Sequence, residues 1–179
     1  MHPVFTIGHS TRTSEEFRAL LHEHAITRLI DVRRFPGSRR YPHFGREELP
    51  RHLQAAGIEY VHEDALGGRR DPSPSSRNDG WRNAQFRGYA DHMDSAEFQQ
   101  ALERLVGRRD RAQVIMCAEA VPWRCHRQLI ADALVARGVD VVHIMGPGQT
   151  NAHQLNVMAR VLDNGRVVYP GSDAQMDLL

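Results

Sequence analysis

The sequence contains no lysine, so all 23 of its basic residues other than histidine are arginines. The formal net charge is only +1, so the chain has no global basic field. Two cysteines are too few for the disulfide framework of a small secreted domain. No apolar run approaches the length needed to span a bilayer. The patterns Gly-x-x-x-x-Gly-Lys and Gly-x-Gly-x-x-Gly are also absent, which disfavours P-loop ATP hydrolysis and Rossmann-type NAD binding.

The size and composition of the chain are those of one globular domain. The chain has 179 residues, of which 41% are hydrophobic and 25% charged. We predict a single α/β domain over residues 1–170 and a frayed tail over 171–179. The N-terminus lacks the charged-then-apolar pattern of a signal peptide, so we expect a cytoplasmic protein without a membrane partner. The pattern specifies no oligomeric state.

Short apolar runs alternate with helical patterns along the chain, which predicts a largely parallel sheet with right-handed crossovers. We therefore predict a three-layer α/β sandwich with a central sheet of about five strands, whose order the sequence does not specify. The predicted strands cover residues 4–7, 29–32, 58–61, 114–116 and 139–144. A last helix is expected around 155–162 and a short strand at 167–169. The polar segment 69–82 predicts a mobile loop that closes over a cleft.

Ionisable residues follow each predicted strand. Because parallel strands end at one edge of a sheet, these residues are expected to meet there, where α/β proteins bind their ligands. The residues concerned are His9, Ser10, Arg33, Arg34, His62, Glu63, Cys117, Glu119 and His143. Loops are polar in general, but a bias toward His, Arg, Cys and Glu favours a site.

Residues 114–134 join a predicted buried strand to an amphipathic helix, and both cysteines lie in this stretch. Cys125 is placed near a helix N-terminus, which lowers the pKa of a thiol. Arg127 is placed in the first helical turn, against the helix dipole, and so calls for a nearby anion or carboxylate. Two readings stay open for Cys117, a nucleophile or a small buried hydrophobe. His126 is likewise a catalytic or a core histidine, and Glu119 is an acid/base or the salt partner of Arg127.

The resulting hypothesis assigns two roles at the sheet edge. The predicted catalytic residues are Glu119, Cys117 and His9. The predicted substrate-binding residues are Ser10, Asp31, Arg33, Arg39, Cys125, His126 and Arg127. Among these, the arginines are expected to clamp a phosphate group in bidentate fashion. No cofactor is predicted. A mixed Cys/His metal site has only weak support, because the cysteines are eight positions apart and no second pair stands at finger-like spacing.

Six motifs together resemble a known bacterial and archaeal family catalogued as domain of unknown function 488. They are residues 6–10 (TIGHS), 31–39 (DVR, Pro36, SR), 57–60 (GI, Tyr60), 66–68 (LGG), 117–119 (CAE) and 125–127 (CHR). The resemblance extends from about Thr6 to His143 and implies that the motif residues form one site. It implies no particular reaction.

A looser likeness connects the chain with rhodaneses and cysteine-dependent phosphatases, which also place a Cys between a central strand and a helix N-terminus. The phosphatase loop has a Cys, five residues and then an Arg. Here the sixth residue after Cys117 is Trp123, and Arg124 follows it. The sequence therefore departs from the thiol-phosphate motif.

Three functions fit these observations. The first is an enzyme that binds a small anionic, phosphorylated and nucleotide-like substrate, with Glu119 or Cys117 as the reacting group. The second is a thiol-based sulfur-transfer or redox enzyme that uses Cys117 and Cys125. The third is a non-catalytic module that binds a nucleic-acid backbone through arginine.

Overall fold

The computed structural model describes residues 1–172 and has eight strands and five α-helices in that part of the chain. The strands are β1 (Val4–Gly8), β2 (Arg28–Asp31), β3 (Glu59–His62), β4 (Gln113–Cys117), β5 (Val141–Gly146), β6 (Gln149–Ala152), β7 (Arg160–Val161) and β8 (Val167–Val168). The helices are α1 (Ser14–Glu23), α2 (Glu48–Ala55), α3 (Ala84–His92), α4 (Ala96–Gly107) and α5 (Arg127–Val135). The frayed tail was predicted over residues 171–179, and its residues from position 173 onward lie outside the described part of the chain.

The central sheet has six strands in the order β3-β2-β4-β1-β5-β6. The first five are parallel, and β6 pairs with β5 in the antiparallel direction. Apolar side chains of α1 and α2 pack on one face, and those of α3, α4 and α5 pack on the other. This is the predicted three-layer α/β sandwich, with a mostly parallel sheet. None of the described helices is long and apolar enough to cross a membrane.

Local sequence signals account for most of the helix boundaries. Thr13 caps α1 and forms a capping box with Glu16, as the sequence predicts. Gly57 and Gly138 follow α2 and α5 with φ values of 73° and 71°, a left-handed backbone that glycine adopts without strain. Ser95 caps α4, because its side chain accepts a hydrogen bond from the amide of Phe98.

The C-terminal part of the described chain corrects two expectations. Residues 155–162 form no helix, because Asn156 closes a tight turn with its side-chain oxygen on the amide of Met158. The amide of Asn156 also bonds to the buried carboxylate of Asp132, which fixes the segment in a non-helical path. Strand β6 was not predicted, because its sequence, Gln-Thr-Asn-Ala, is polar and fully exposed at the sheet edge.

Candidate active site

A cleft of about 870 Å³ opens at the carboxyl ends of the parallel strands. Seven of the ten predicted site residues line it: His9, Ser10, Arg33, Cys117, Glu119, Cys125 and His126. Asp31, Arg39 and Arg127 do not line it. The structure therefore gathers most of the predicted residues at one place and puts the other three beside or beneath it.

The two cysteine thiols both line the cleft, and each shifts the pKa of the other. Cys117 ends strand β4 and Cys125 lies two residues before α5, so the sheet edge and the helix start meet at the sulfur atoms. Both thiols are free and buried. Their juxtaposition comes from the short 3-10 turn Pro122–Arg124, which folds the connection back over the strand end.

The surroundings of the pair distinguish the two thiols. Burial raises the pKa of Cys117 well above its usual value, and the neighbouring Cys125 raises it further. Burial acts in the same direction on Cys125, but the hydrogen bond from Cys117 and the charges of His126 and Arg127 outweigh it. The net pKa of Cys125 is therefore well below its usual value. Cys125 therefore has the lower pKa of the pair, whereas the sequence analysis placed Cys117 among the predicted catalytic residues and Cys125 among the predicted substrate-binding residues.

His126 stands next to Cys125 as a fixed base. Its Nδ1 lies 3.6 Å from Sγ of Cys125, and its Nε2–H donates to the backbone oxygen of Val32 at 3.0 Å. A backbone oxygen only accepts, so this bond places the proton on Nε2 and turns Nδ1 toward the thiol. The ring also packs against Tyr89, with centroids 5.0 Å apart. A thiol, an imidazole and a backbone oxygen that orients the imidazole are thus in contact, which is the arrangement that activates a nucleophilic thiol.

Arg127 lies beneath the thiols and is only 1% exposed. Its backbone N–H donates to Sγ of Cys125 at 3.5 Å, and its Nη2 donates to the backbone oxygen of Glu119 at 2.6 Å. Its Nε is buried without a hydrogen-bond partner among residues 1–172. The guanidinium therefore stabilises charge at the sulfur atoms and the shape of the turn after β4, from outside the cleft.

Arg33 and Asp31 form a buried ion pair on the other face of the sheet. The guanidinium of Arg33 donates to both carboxylate oxygens, at 2.9 and 2.6 Å, and to the backbone oxygen of Phe44 at 2.8 Å. The hydroxyl of Tyr60 donates to the same carboxylate at 2.8 Å. Burial and the charge of Asp31 raise the pKa of Tyr60. The charge of Arg33 is thus balanced within the protein, and the pair fixes the loop that follows β2.

His9 is held as a neutral imidazole at the edge of the cleft. It stacks on Phe44 with centroids 4.4 Å apart, and its Nδ1–H donates to the backbone oxygen of Ser10 at 3.0 Å. Burial lowers its pKa to about 4, and the charge of Arg33 contributes in the same direction. Ser10 has a left-handed backbone, with φ of 50°, where the chain turns from β1 toward the cleft.

Glu119 projects from the turn after Cys117 and is exposed, and it is the one carboxylate among the described residues that line the cleft. The backbone of this turn passes very close to β1: a Cβ atom on Gly8 would lie 1.7 Å from the backbone oxygen of Glu119. Glycine at this position is therefore required for the turn that positions both Cys117 and Glu119.

Four arginines that were not among the predicted catalytic or substrate-binding residues line the cleft, and none has a salt-bridge partner among residues 1–172: Arg34, Arg40, Arg69 and Arg124. Phe35 stands 62% exposed at the mouth, with the guanidinium carbons of Arg34 and Arg69 5.7 and 5.8 Å from its ring centroid. Adjacent arginines in the run 33–40 thus face different ways, which periodicity cannot reveal in an irregular loop.

The polar segment 69–82 forms the predicted loop and is anchored along its length. Asn78 is 2% exposed and bonds to Asp91 at 2.8 Å and to the amide of Tyr169 at 2.9 Å. The backbone of Arg70 presses on α3 so closely that a Cβ on Gly88 would lie 2.0 Å from its oxygen. Within this segment only Arg69 reaches the cleft. Closure over the cleft stays a prediction.

No group of three or more His, Cys, Asp or Glu side chains is placed to bind a metal ion within residues 1–172. The candidate site is therefore described by its thiols, imidazoles and guanidinium groups.

Comparison with family models gives a match over residues 13–134, more than half of the chain. The chain belongs to the family described as domain of unknown function DUF488. The match confirms the resemblance seen in the motifs, over a narrower span that begins at α1 and ends within α5. The DUF488 match includes both cysteines, His126 and Arg127. Comparison with curated proteins and with solved structures gave no match.

Proposed function

We propose that this protein is a cysteine-dependent enzyme that acts on a small anionic, nucleotide-like substrate, with the Cys125 thiolate as the nucleophile. The observation on which the proposal rests is the contact between Cys125 Sγ and His126 Nδ1 at 3.6 Å, with His126 oriented by the Val32 carbonyl. The thiolate is the reactive form of cysteine, and an adjacent oriented base is what maintains it. The proposal joins two hypotheses of the sequence analysis and assigns the reacting group to Cys125 in place of Glu119 or Cys117.

The chemical step is a substitution at an electrophilic centre of the substrate. His126 takes the thiol proton of Cys125, and the sulfur electron pair forms a bond to the substrate while the leaving group departs with its own pair. The leaving group accepts the proton from His126. Water or a second acceptor then attacks the same centre, gives its proton to His126 and releases the thiolate. Water as the acceptor makes the enzyme a hydrolase, and any other acceptor makes it a transferase.

The cleft supports an anionic substrate through its unbalanced charges. Four arginines without a salt-bridge partner in the described chain face one carboxylate, that of Glu119. Guanidinium groups bind phosphate and carboxylate with paired hydrogen bonds. Phe35, exposed between Arg34 and Arg69, offers a face on which a nucleobase would stack. A phosphorylated substrate with an aromatic base uses both features.

The test measures the reactivity of each thiol toward iodoacetamide as a function of pH. Cleavage after Arg111, Arg124 and Arg127 puts Cys117 and Cys125 in different tryptic peptides, so mass spectrometry follows each thiol separately. We expect Cys125 to react with a pKa below the ordinary value of about 8.5, and Cys117 to react only above it. A Cys125 that titrates at the ordinary value would contradict the proposal.

The same assay tests the substrate class by protection. Adenosine monophosphate, ribose 5-phosphate and inorganic phosphate are added in turn before alkylation at pH 6. We expect adenosine monophosphate to slow alkylation of Cys125 at the lowest concentration, because it adds a base to the phosphate. Equal protection by all three would support a simple anion site without base recognition.

Glu119 is the second candidate for the reacting group, because its carboxylate lines the same cleft. In a turnover assay, Glu119→Gln should cost on the order of a hundredfold if Glu119 is the acid/base, and Cys125→Ser should then be mild. The thiol proposal expects the reverse. A non-catalytic nucleic-acid module would retain its ligand in both variants and bind single-stranded oligonucleotides with a steep salt dependence.

A further inference from the structure

Four side chains outside the cleft, three of them buried and His153 partly buried, form one continuous chain of hydrogen bonds, here called the buried relay: Thr6, His143, His153 and Asp132. The hydroxyl of Thr6 lies 2.7 Å from Nδ1 of His143, on the neighbouring strand. Nε2 of His143 lies 2.9 Å from Nδ1 of His153, whose Nε2 lies 2.8 Å from a carboxylate oxygen of Asp132. At its other end the relay meets the cleft floor, because Nη1 of Arg127 donates to Thr6 Oγ1 at 3.2 Å.

With both imidazoles neutral, only one arrangement of protons satisfies the relay. The Asp132 carboxylate accepts from Nε2–H of His153, so Nδ1 of His153 accepts from Nε2–H of His143. Nδ1 of His143 must then accept from the Thr6 hydroxyl. Burial lowers the pKa of His143 to about 3, with the charge of Arg127 contributing in the same direction, which keeps this ring neutral.

Every donor in that arrangement points away from Arg127 and toward Asp132. The hydroxyl oxygen of Thr6 therefore presents only lone pairs to the guanidinium. A chain that ends on a carboxylate polarises each bond along it, which strengthens that oxygen as an acceptor. Asp132 is fixed in turn by the amide of Asn156 at 2.9 Å and the hydroxyl of Tyr169 at 2.7 Å. The carboxylate is 0% exposed, so its position is set by these bonds.

We infer that the buried relay is a positioning device that holds the guanidinium of Arg127 against the two cysteine thiols. This inference rests on the proposed function, in which Cys125 is the nucleophile. A buried arginine at the start of a helix is disfavoured both by desolvation and by the helix dipole. Fixed acceptors offset that cost, and Thr6 Oγ1 is the side-chain acceptor among them. Because a guanidinium only donates, the relay orients Arg127 and delivers no proton to the sulfur.

The packing of the core does not by itself require polar side chains at the positions of the buried relay. Thr6 and His143 lie side by side on β1 and β5, on the face that α5 covers with apolar side chains. Apolar residues would fill the same space without the need to satisfy every polar atom. The relay instead connects the C-terminal segment, through Asp132 and Tyr169, to the atoms beneath the cleft.

The test uses the iodoacetamide assay on Cys125 and does not require a known substrate. The titratable and charged groups that face this thiol are Cys117 from β4, Tyr89 from α3, and His126 and Arg127 from α5. None of them is changed in the variants. Thr6→Val removes the hydroxyl and keeps the shape, and Thr6→Ser is the matched control that restores the hydroxyl.

We expect Thr6→Val to slow alkylation of Cys125 about tenfold at pH 6, which corresponds to a pKa increase of about one unit. Thr6→Ser should react like the wild type. His143→Met, which removes both ring nitrogens at similar volume, should slow the reaction severalfold and gives the answer if Thr6→Val does not fold. Near-ultraviolet circular dichroism and the melting temperature identify the variants that fold.

The outcomes separate this inference from the proposed function. An ordinary pKa for Cys125 in the wild type overturns the proposed function. A low pKa in the wild type that is unchanged in folded Thr6→Val and His143→Met overturns the positioning role alone. A Thr6→Ser variant as slow as Thr6→Val also overturns it, because the hydroxyl would then not be the group that matters.

Discussion

His126 donates its Nε2–H to the backbone oxygen of Val32 at 3.0 Å, a bond that spans 94 positions of sequence. This contact joins the residue that follows β2 to the residue that precedes α5. Its chemical result is a ring that cannot turn its other nitrogen away from Cys125. The base of the candidate site is therefore oriented by the backbone of a neighbouring loop, in the place where many enzymes use a carboxylate.

Gly68 tests the orientation of that ring. A Cβ on this residue would lie 2.8 Å from Nδ1 of His126, so Gly68→Ala must displace the imidazole from Cys125. We expect alkylation of Cys125 at pH 6 to slow by about tenfold, since a pKa increase of one unit has that effect. Gly37→Ala is the matched control: Gly37 also lines the cleft, but a Cβ there meets nothing within 4 Å. Equal rates in both variants would show that His126 does not control the thiol.

Cys117 is expected to act as a hydrogen-bond donor to Cys125. The bond between them lowers the pKa of Cys125. Cys117→Ala removes the donor and should raise the pH at which Cys125 becomes reactive, while Cys117→Ser keeps a donor and should change it less. The pH profile of alkylation, followed on the Cys125 peptide, measures both. A lower pKa of Cys125 in the Cys117→Ala variant would contradict the assignment of Cys125 as the thiolate.

Arg40 and Arg39 are adjacent and both exposed, but only Arg40 lines the cleft. If the cleft binds a phosphorylated ligand, Arg40→Ala should raise the concentration of adenosine monophosphate needed for protection on the order of tenfold, the effect of one charge-assisted hydrogen bond. Arg39→Ala should change it less than about twofold. A larger effect of Arg39→Ala would support the phosphate-binding role that the sequence analysis predicted for Arg39.

His9 should make the protein less stable as the pH falls. Its pKa is lowered from 6.5 to about 4 in the folded protein, so between these values the unfolded chain binds more protons. Stability is therefore greatest above pH 6.5 and is lost as the pH falls toward 4. In His9→Gln, which does not titrate, the slope of unfolding free energy against pH should decrease by up to about 1.4 kcal/mol per pH unit in this window. Urea unfolding at several pH values measures it, and an unchanged slope would contradict a buried neutral His9.

The sequence by itself determined the α/β class and the location of the site. Apolar runs set the five parallel strands, and the capping box of Thr13 and Glu16 set the start of α1, because these signals are local. Parallel strands end at one edge, so residues after β1 and β4 were expected at the same edge, and the pairing of β1 with β4 brings them together. This is why His9, Cys117 and Glu119 were expected at one cleft before their contacts were known.

The tertiary structure decided which thiol has the lower pKa and which arginines face the cleft. The pKa of Cys125 depends on a hydrogen bond from Cys117 and on the ring of His126, and neither contact follows from spacing. Arg33 is charge-balanced by Asp31, while Arg40 in the same loop is exposed at the cleft. The direction in which a side chain points from an irregular loop depends on its packing against distant residues. That packing leaves no periodic pattern in the sequence. The buried relay is the clearest case, because its four members come from β1, β5, the segment after β6 and α5.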